Sequence, residues 1–326
     1  DNDDVRQQAT DERRDRNGFD LTDAGGDLAY AMDQSHYCLK CHDRDKDSCS
    51  TGLKNKEKDK ESDAFTHDAH GTELIGCPLE QKISEMTVAA ERGQFIAALS
   101  IVCVDNPLVA ATGHRICNEC MSACIFQKQD PVDVPQLETR ILKEVLALPW
   151  GFEIYALLTR WNPLDFARPL PKSETGRTTL IVGLGPAGFT LAHHLVNEGH
   201  AVVGIDGLKI EPLDTPFAPI RDIADHYEPL STRTMAGFGG VAEYGITVRW
   251  DKNFLKIVRL LLERRAQFRA YGGVRLGGTL SIDNAFEAGF DHIALCAGAG
   301  RPKTLEIPNG LARGVRAASD FLMALQ

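Results

Sequence analysis

No apolar run in the sequence approaches the roughly 20 residues needed to cross a bilayer, so no membrane-spanning helix is expected. A basic balance is missing as well: 36 lysines and arginines face 46 aspartates and glutamates, a formal net charge of -10. Neutralising phosphates takes a basic face, and clusters such as Arg13-Arg14 sit among aspartates, which argues against a nucleic-acid binder. Nothing near Asp1 resembles a charged-then-apolar export signal, and no internal repeat occurs. The last residue, Gln326, follows an apolar helical pattern without a stop, so the sequence reads as a fragment of a longer chain. What is present is globular in type: the chain is 43% hydrophobic and 25% charged, and its 326 residues allow two domains with real cores.

Residues 1–35 are crowded with Asp and Arg and poor in large apolar side chains, which predicts a loose acidic arm. Residues 54–63 ("KNKEKDKESD") predict an exposed insertion. Over residues 77–160 apolar positions recur at helical spacing, as at Ile141, Val145 and Leu148, so residues 36–161 are expected to form a domain of short helices. Residues 162–176 carry three prolines and no apolar period, which marks a linker. Residues 177–326 change character. A β-branched run ends at Val182, Pro186 opens a helix, Gly199 closes it, and a second strand follows, giving a βαβ unit. An amphipathic helix over about 253–271, short strands around 274–282 and a strand in "HIALCAGAG" complete the expected order.

Gly183, Gly185 and Gly188 form G-x-G-x-x-G directly after the first strand and at the opening of the helix. The first glycine allows the tight turn, the second lets a diphosphate approach the backbone, and the third permits close helix–strand packing. Asp206 ends the next strand, where an acid can hydrogen-bond ribose hydroxyls. Strand, turn, helix and acid in register predict a dinucleotide site, with FAD and NAD both compatible.

Nine cysteines occur, and seven gather as C-x2-C-x7-C (Cys38, Cys41, Cys49), C-P at Cys77, and C-x2-C-x3-C (Cys117, Cys120, Cys124). Thiolates at such spacings converge on soft metal centres, and C-P commonly ends iron–sulfur runs. Structural zinc is the principal alternative and a disulfide framework a lesser one. "CLKCH" also has the spacing of haem c attachment, with His42 after Cys41, but that reading leaves five clustered cysteines unexplained. Cys103 and Cys296 read as buried apolar side chains, and His193, His194 and His292 as packing or surface histidines.

Cysteine clusters ending in C-P-L, then "NPLVAATGHRICNECMSACIFQKQDPVDVPQLE", G-x-G-P-A-G, "GGVAEYGI" and "DHIALCAGAG" together resemble the small-subunit family of NADPH-dependent glutamate synthase. The amino-terminal half of dihydropyrimidine dehydrogenase shares the architecture. The resemblance covers about residues 37–326 and implies a multidomain α + α/β fold, with a helical iron–sulfur (α-helical ferredoxin) domain before a Rossmann-like FAD-binding domain. By matching positions it implies that Cys38, Cys41, Cys49 and Cys124 ligate one [4Fe–4S] cluster, and Cys77, Cys117, Cys120 and Glu138 the other. It assigns FAD to Gly183, Gly185, Pro186, Ala187, Gly188 and Asp206, with Gly239 and Gly240 near the flavin ring and Ala297 and Gly298 at a strand end beside it. The Cys41–Cys49 and Cys49–Cys77 spacings and residues 207–238 are longer than in the family, and Thr247 replaces a proline. The chain stops about where an NADPH domain is expected to begin. The implied activity is an FAD-dependent NAD(P)H oxidoreductase passing electrons through clusters to a partner subunit or domain, with no protein acid or base required and no catalytic side chain assigned. Cysteine usage points to the reducing cytoplasm.

Overall fold

The computed structural model describes residues 25–55, 65–213, 218–229, 251–298 and 306–317. It opens with helix α1 (Leu28–Tyr37), capped by Asp27, whose carboxylate accepts from Tyr30 N–H. Residues 28–35, expected as part of the arm, are thus helical. Two features hold the helix: Ala31 and Ser35 are buried, and Gln34 Oε1 accepts from Asp133 N–H at 2.7 Å. Composition misses both, because the buried side chains are small and the tie is polar.

A 3-10 turn (Cys41–Arg44) and the single-turn α2 (Ser48–Thr51) follow. An antiparallel bridge between Lys54 and Phe65 brings the flanks of the expected 54–63 insertion together; residues 56–64 lie outside the described residues. Then come α3 (Ile83–Glu91), α4 (Phe95–Asp105), α5 (Val109–Thr112), α6 (Glu119–Ser122), α7 (Val134–Leu146) and α8 (Gly151–Leu158). Helix α7 starts where Asp133 caps Gln136 N–H and Pro135 occupies the first turn. It then buries Leu137, Ile141, Leu142 and Val145 at helical spacing. Leu148 falls past its end and is exposed. Buried Tyr155 on α8 donates its hydroxyl to the Pro107 carbonyl at 2.8 Å, satisfying a loop that lacks a helical partner.

The rest of the described chain forms a four-stranded, all-parallel sheet in the order β3-β2-β1-β4. Its strands are β1 (Thr178–Val182), β2 (Ala201–Asp206), β3 (Phe268–Gly272) and β4 (His292–Leu295). Helix α9 (Pro186–Asn197) links β1 to β2, α10 (Asn253–Glu263) precedes β3, and α11 (Ile282–Glu287) precedes β4. β1 is buried from Thr179 to Val182, because both its faces are covered. The helix expected over 253–271 ends at Glu263, and Phe268–Gly272 is instead β3, where Phe268 and Tyr271 favour a strand and parallel pairing with β2 fixes it. The strands expected around 274–282 reduce to one bridge, Leu276 with Leu280, and a helix begins at Ile282.

The two regions share a seam. Arg264 donates to both oxygens of Glu153 on α8, at 2.9 and 3.0 Å, and its guanidinium stacks 5.3 Å from the Phe152 ring centre. Glu153 also accepts from Ile220 N–H, and Trp150 N–H donates to the Arg221 carbonyl. Residues 162–176 hold no helix or strand and run as a strap along the end of α9, where Lys172 N–H donates to the Asn197 carbonyl and Thr175 N–H to that of Gly199.

Candidate functional site

The sheet order places a reversal between β1 and β4, since β1 leads to β2 on one side while β4 returns on the other. In open parallel sheets ligands sit outside the carboxyl ends of the strands at such a reversal. Gly183 lies there with φ +95°, and a Cβ on it would stand 2.5 Å from the Cys296 carbonyl oxygen at the end of β4. A Cβ on Gly188 would stand 1.9 Å from the Gly183 carbonyl oxygen, so helix α9 can meet β1 this closely only with glycine. Gly185 caps α9 without a side-chain bond, so Pro186, Ala187 and Gly188 open the helix with no side chain competing for its first amides. Ala297 and Gly298 follow β4 and are exposed beside this turn. Gly239 and Gly240 lie outside the described residues.

Asp206 does more than sequence reasoning assigned to it. Its Oδ2 accepts from Leu184 N–H and its Oδ1 from Leu208 N–H, both at 2.9 Å, so the carboxylate braces the glycine turn from the neighbouring strand. A carboxylate has about four acceptor sites, which leaves capacity for a ribose hydroxyl. The backbone fits a dinucleotide: a turn without Cβ atoms, a helix start without a side-chain cap, and an acid held at the strand end.

In the helical region, Cys38, Cys41, Cys49 and Cys124 line one small cavity together with Ser48, Ser84, Ile83 and Phe126. They come from the end of α1, the following turn, α2 and the residues after α6. Burial pushes the Cys41 thiol up, and the neighbouring Cys38, Cys124 and Asp47 add to it. Cys49 is raised by burial and then by Asp47, whose Oδ1 lies 3.5 Å from its sulfur. Burial also raises Cys38, opposed by the Lys40 N–H that donates to its sulfur at 3.4 Å.

The other predicted set also gathers. Burial raises Cys120 most, and Glu138, Cys117, Cys49 and Cys77 add to it. Cys77 is raised by burial, with smaller contributions from Glu138 and Cys117, while Gln81 opposes. Glu138, 8% exposed, is pushed up to about 7 by burial. Cys117 is exposed. The sets adjoin, since Cys77 N–H donates to the Cys49 carbonyl at 2.8 Å. Among the described residues no three His, Cys, Asp or Glu stand close enough to hold a single metal ion.

All nine cysteines are free thiols. Cys103 is buried on α4 as expected, whereas Cys296 is half-buried and stands at the switch point rather than inside a strand. His193 is buried, His194 half-buried and His292 exposed. Beside Cys41, His42 Nε2 lies 3.4 Å from Asp43, and the haem reading leaves Cys49 and Cys124 in the same cavity without a role. Sequence reasoning missed Gln81, Ser84 and Thr87, which are buried at three-residue spacing along one face at α3. Gln81 donates to Cys77 sulfur at 3.6 Å, and Ser84 to Asp47 at 3.0 Å. Their signal was an uncharged polar residue at every third position, Gln81, Ser84 and Thr87.

No protein-family model matches the chain. An uncharacterised protein of Rickettsia prowazekii (strain Madrid E) is 57% identical over 220 residues, 67% of this chain and 31% of that protein. The NADPH glutamate synthase small chain of Mycobacterium tuberculosis (strain ATCC 25618 / H37Rv) is 29% identical over 254 residues, 76% of this chain and 42% of its own. The NADH glutamate synthase of Schizosaccharomyces pombe (strain 972 / ATCC 24843) is 26% identical over 250 residues, 76% of this chain and 10% of that protein. The chain spans less than half the length of each of these relatives. It is thus a distant homologue of oxidoreductases of the glutamate synthase small-chain type.

Proposed function

We propose that the chain is part of a flavin- and iron–sulfur-dependent oxidoreductase that passes electrons between NAD(P)H, FAD and two [4Fe–4S] clusters to a partner subunit or domain. When bound, FAD exchanges electron pairs for the single electrons that such clusters carry. The chain's own contribution is placement and electrostatics. The Gly183–Gly188 turn and the start of α9 would offer amides to a diphosphate, Asp206 fixes the turn and would receive ribose, and the resemblance assigns Ala297 and Gly298, with Gly239 and Gly240 outside the described residues, to the flavin. Cys38, Cys41, Cys49 and Cys124 hold one cluster; Cys77, Cys117, Cys120 and Glu138 hold the other. Burial raises both the Cys49 and the Cys120 thiol, so metal binding there would have to displace their protons. The reducing cytoplasm suits this chemistry.

The observation that supports this reading best is the meeting of four cysteines from widely separated positions, Cys38 to Cys124, around one cavity. The test is an anaerobic absorption spectrum of the purified chain, with iron, acid-labile sulfide, zinc and released flavin assayed on the same sample. About eight irons with matching sulfide per chain, and a visible band bleached by dithionite, are expected for two four-iron clusters. Zinc without sulfide would make the helical region a structural module, and sharp haem bands would restore the "CLKCH" reading.

A further inference from the structure

A second cavity, about 270 Å³, opens at the seam between the strap, the end of α8 and the carboxyl half of α9. It is distinct from the glycine turn: His193 on its wall lies eight residues along α9 from Gly185, about 12 Å at the helical rise. Its wall is rich in cations. Arg160, Arg168, Lys172, His193 and Asn197 line it, together with the carboxylates Asp165 and Glu198.

The charges do not balance. Lys172 pairs with Glu198, and Arg168 lies 3.8 Å from Asp165. Arg160 finds only a carbonyl, that of Ala156 at 3.2 Å, and no carboxylate within ion-pair distance among the described residues. Directly behind the wall, Arg265 is 7% exposed and, among the described residues, donates to the side-chain oxygen of Asn197 at 2.9 Å. Burial and then Arg160 push Arg265 down to about 10, while burial and then Arg264 lower Arg160, with Glu153, the partner of Arg264, opposing. His193 is 1% exposed; its Nε2 lies 3.2 Å from Asn197 Nδ2, and the Thr159 backbone also interacts with the ring. By contrast, among the described residues Arg264 pairs with Glu153, Arg259 with Glu263, and Lys256 with Glu228.

Sheltering cations from water is costly, and here Arg160, Arg168 and Lys172 line one cavity with the Arg265 guanidinium behind its wall, while Glu153, the carboxylate that acts on Arg160, is already bonded to Arg264. We propose that this seam cavity is a binding site for a small oxyanion-bearing molecule, held through carboxylate or phosphate oxygens by Arg160, with Arg168 and Lys172 at the rim. The planar fork of arginine matches either group, and the volume admits a compact polyanion rather than a nucleotide. Because the wall combines α8, the strap and α9, an occupant ties the cysteine-bearing region to the sheet. The inference does not depend on flavin or metal.

The test titrates the purified chain with citrate and, separately, inorganic phosphate against chloride at matched ionic strength, following melting temperature and calorimetric heat. At least one of the two should bind saturably in the millimolar range or tighter and raise the melting temperature by a few degrees, with chloride doing neither. Citrate alone would identify a carboxylate ligand; phosphate alone, a phosphorylated one. Arg160→Gln should weaken binding tenfold or more. Arg168→Gln, at the more exposed rim, should weaken it severalfold and keeps the test decisive if the first variant does not fold. Absence of saturable binding by both anions, or unchanged affinity in the folded variants, would overturn the proposal.

Discussion

The glycine turn after β1 occupies six consecutive residues, Gly183 to Gly188, whereas the thiols around the helical cavity are drawn from Cys38, Cys41, Cys49 and Cys124. The first site consists of main chain and depends on what is absent, a set of Cβ atoms. The second consists of side chains and depends on what is present, a set of sulfurs. The sheet region should therefore fail by steric overlap when a side chain is added, and the helical region by loss of a ligand when one is removed. Substitutions in the two should have separable readouts.

The largest expected effect comes from His193, on the helix that the glycine turn opens. Burial first, then His194 and Arg265, lowers its pKa from 6.5 to about 3. Between those values the unfolded chain binds the proton and the folded one does not, so the stabilisation is present above pH 6.5 and is lost as pH falls toward 3. The loss reaches roughly 5 kcal/mol in the limit. Denaturant midpoints at pH 7 and pH 4 should diverge less in His193→Gln than in the parent. An equal divergence would place the acid sensitivity outside the sheet region's central helix.

Gly188→Ala comes next. Its Cβ would overlap a main-chain oxygen that cannot rotate away, so a loss of about 3 kcal/mol is expected in chemical denaturation. Bound flavin should disappear while iron content per folded chain stays at the parent value. Simultaneous loss of iron would show that the regions are not separable in this sense.

Glu153→Gln tests the seam. The carboxylate serves Arg264 twice and Ile220 once, and both charged side chains are mostly sheltered, so about 2 kcal/mol should be lost. A single transition shifted as a whole would mean that the regions unfold together; two transitions would mean that this pair couples them.

The smallest stability effect is expected at Cys41, which is only half-buried. Cys41→Ser should cost under about 1 kcal/mol in the metal-free chain, yet lower its reconstituted iron by about half, leaving flavin unchanged. Full iron retention would remove Cys41 from the ligand set.

The same contrast governs how much the sequence discloses. β1, the turn and α9 were legible because each signal is local: a β-branched run, three spaced glycines and a proline at the helix start. The grouping of the cysteines was legible only by resemblance, because spacing alone cannot say that Cys124 joins Cys38 rather than Cys117. The boundary at Glu263 was missed because β3 exists only by pairing with β2. Asp206 was identified as an acid at a strand end, but its hold on Leu184 crosses from one strand to the turn after another and has no sequence signature. Arg160 and Arg265 were invisible for a similar reason: an arginine looks the same in sequence whether or not its neighbours in space are carboxylates.

The sheet order has a consequence in time. β1 pairs on one side with β4, and its first amide, at Thr178, donates to Asp291, 113 residues later. On a ribosome adding about 5–20 residues per second, β1 waits on the order of ten seconds for that neighbour. Every cysteine of the two proposed sets, and Glu138, has by then been synthesised. The nascent helical region can thus mature around its metal while the sheet is still half built.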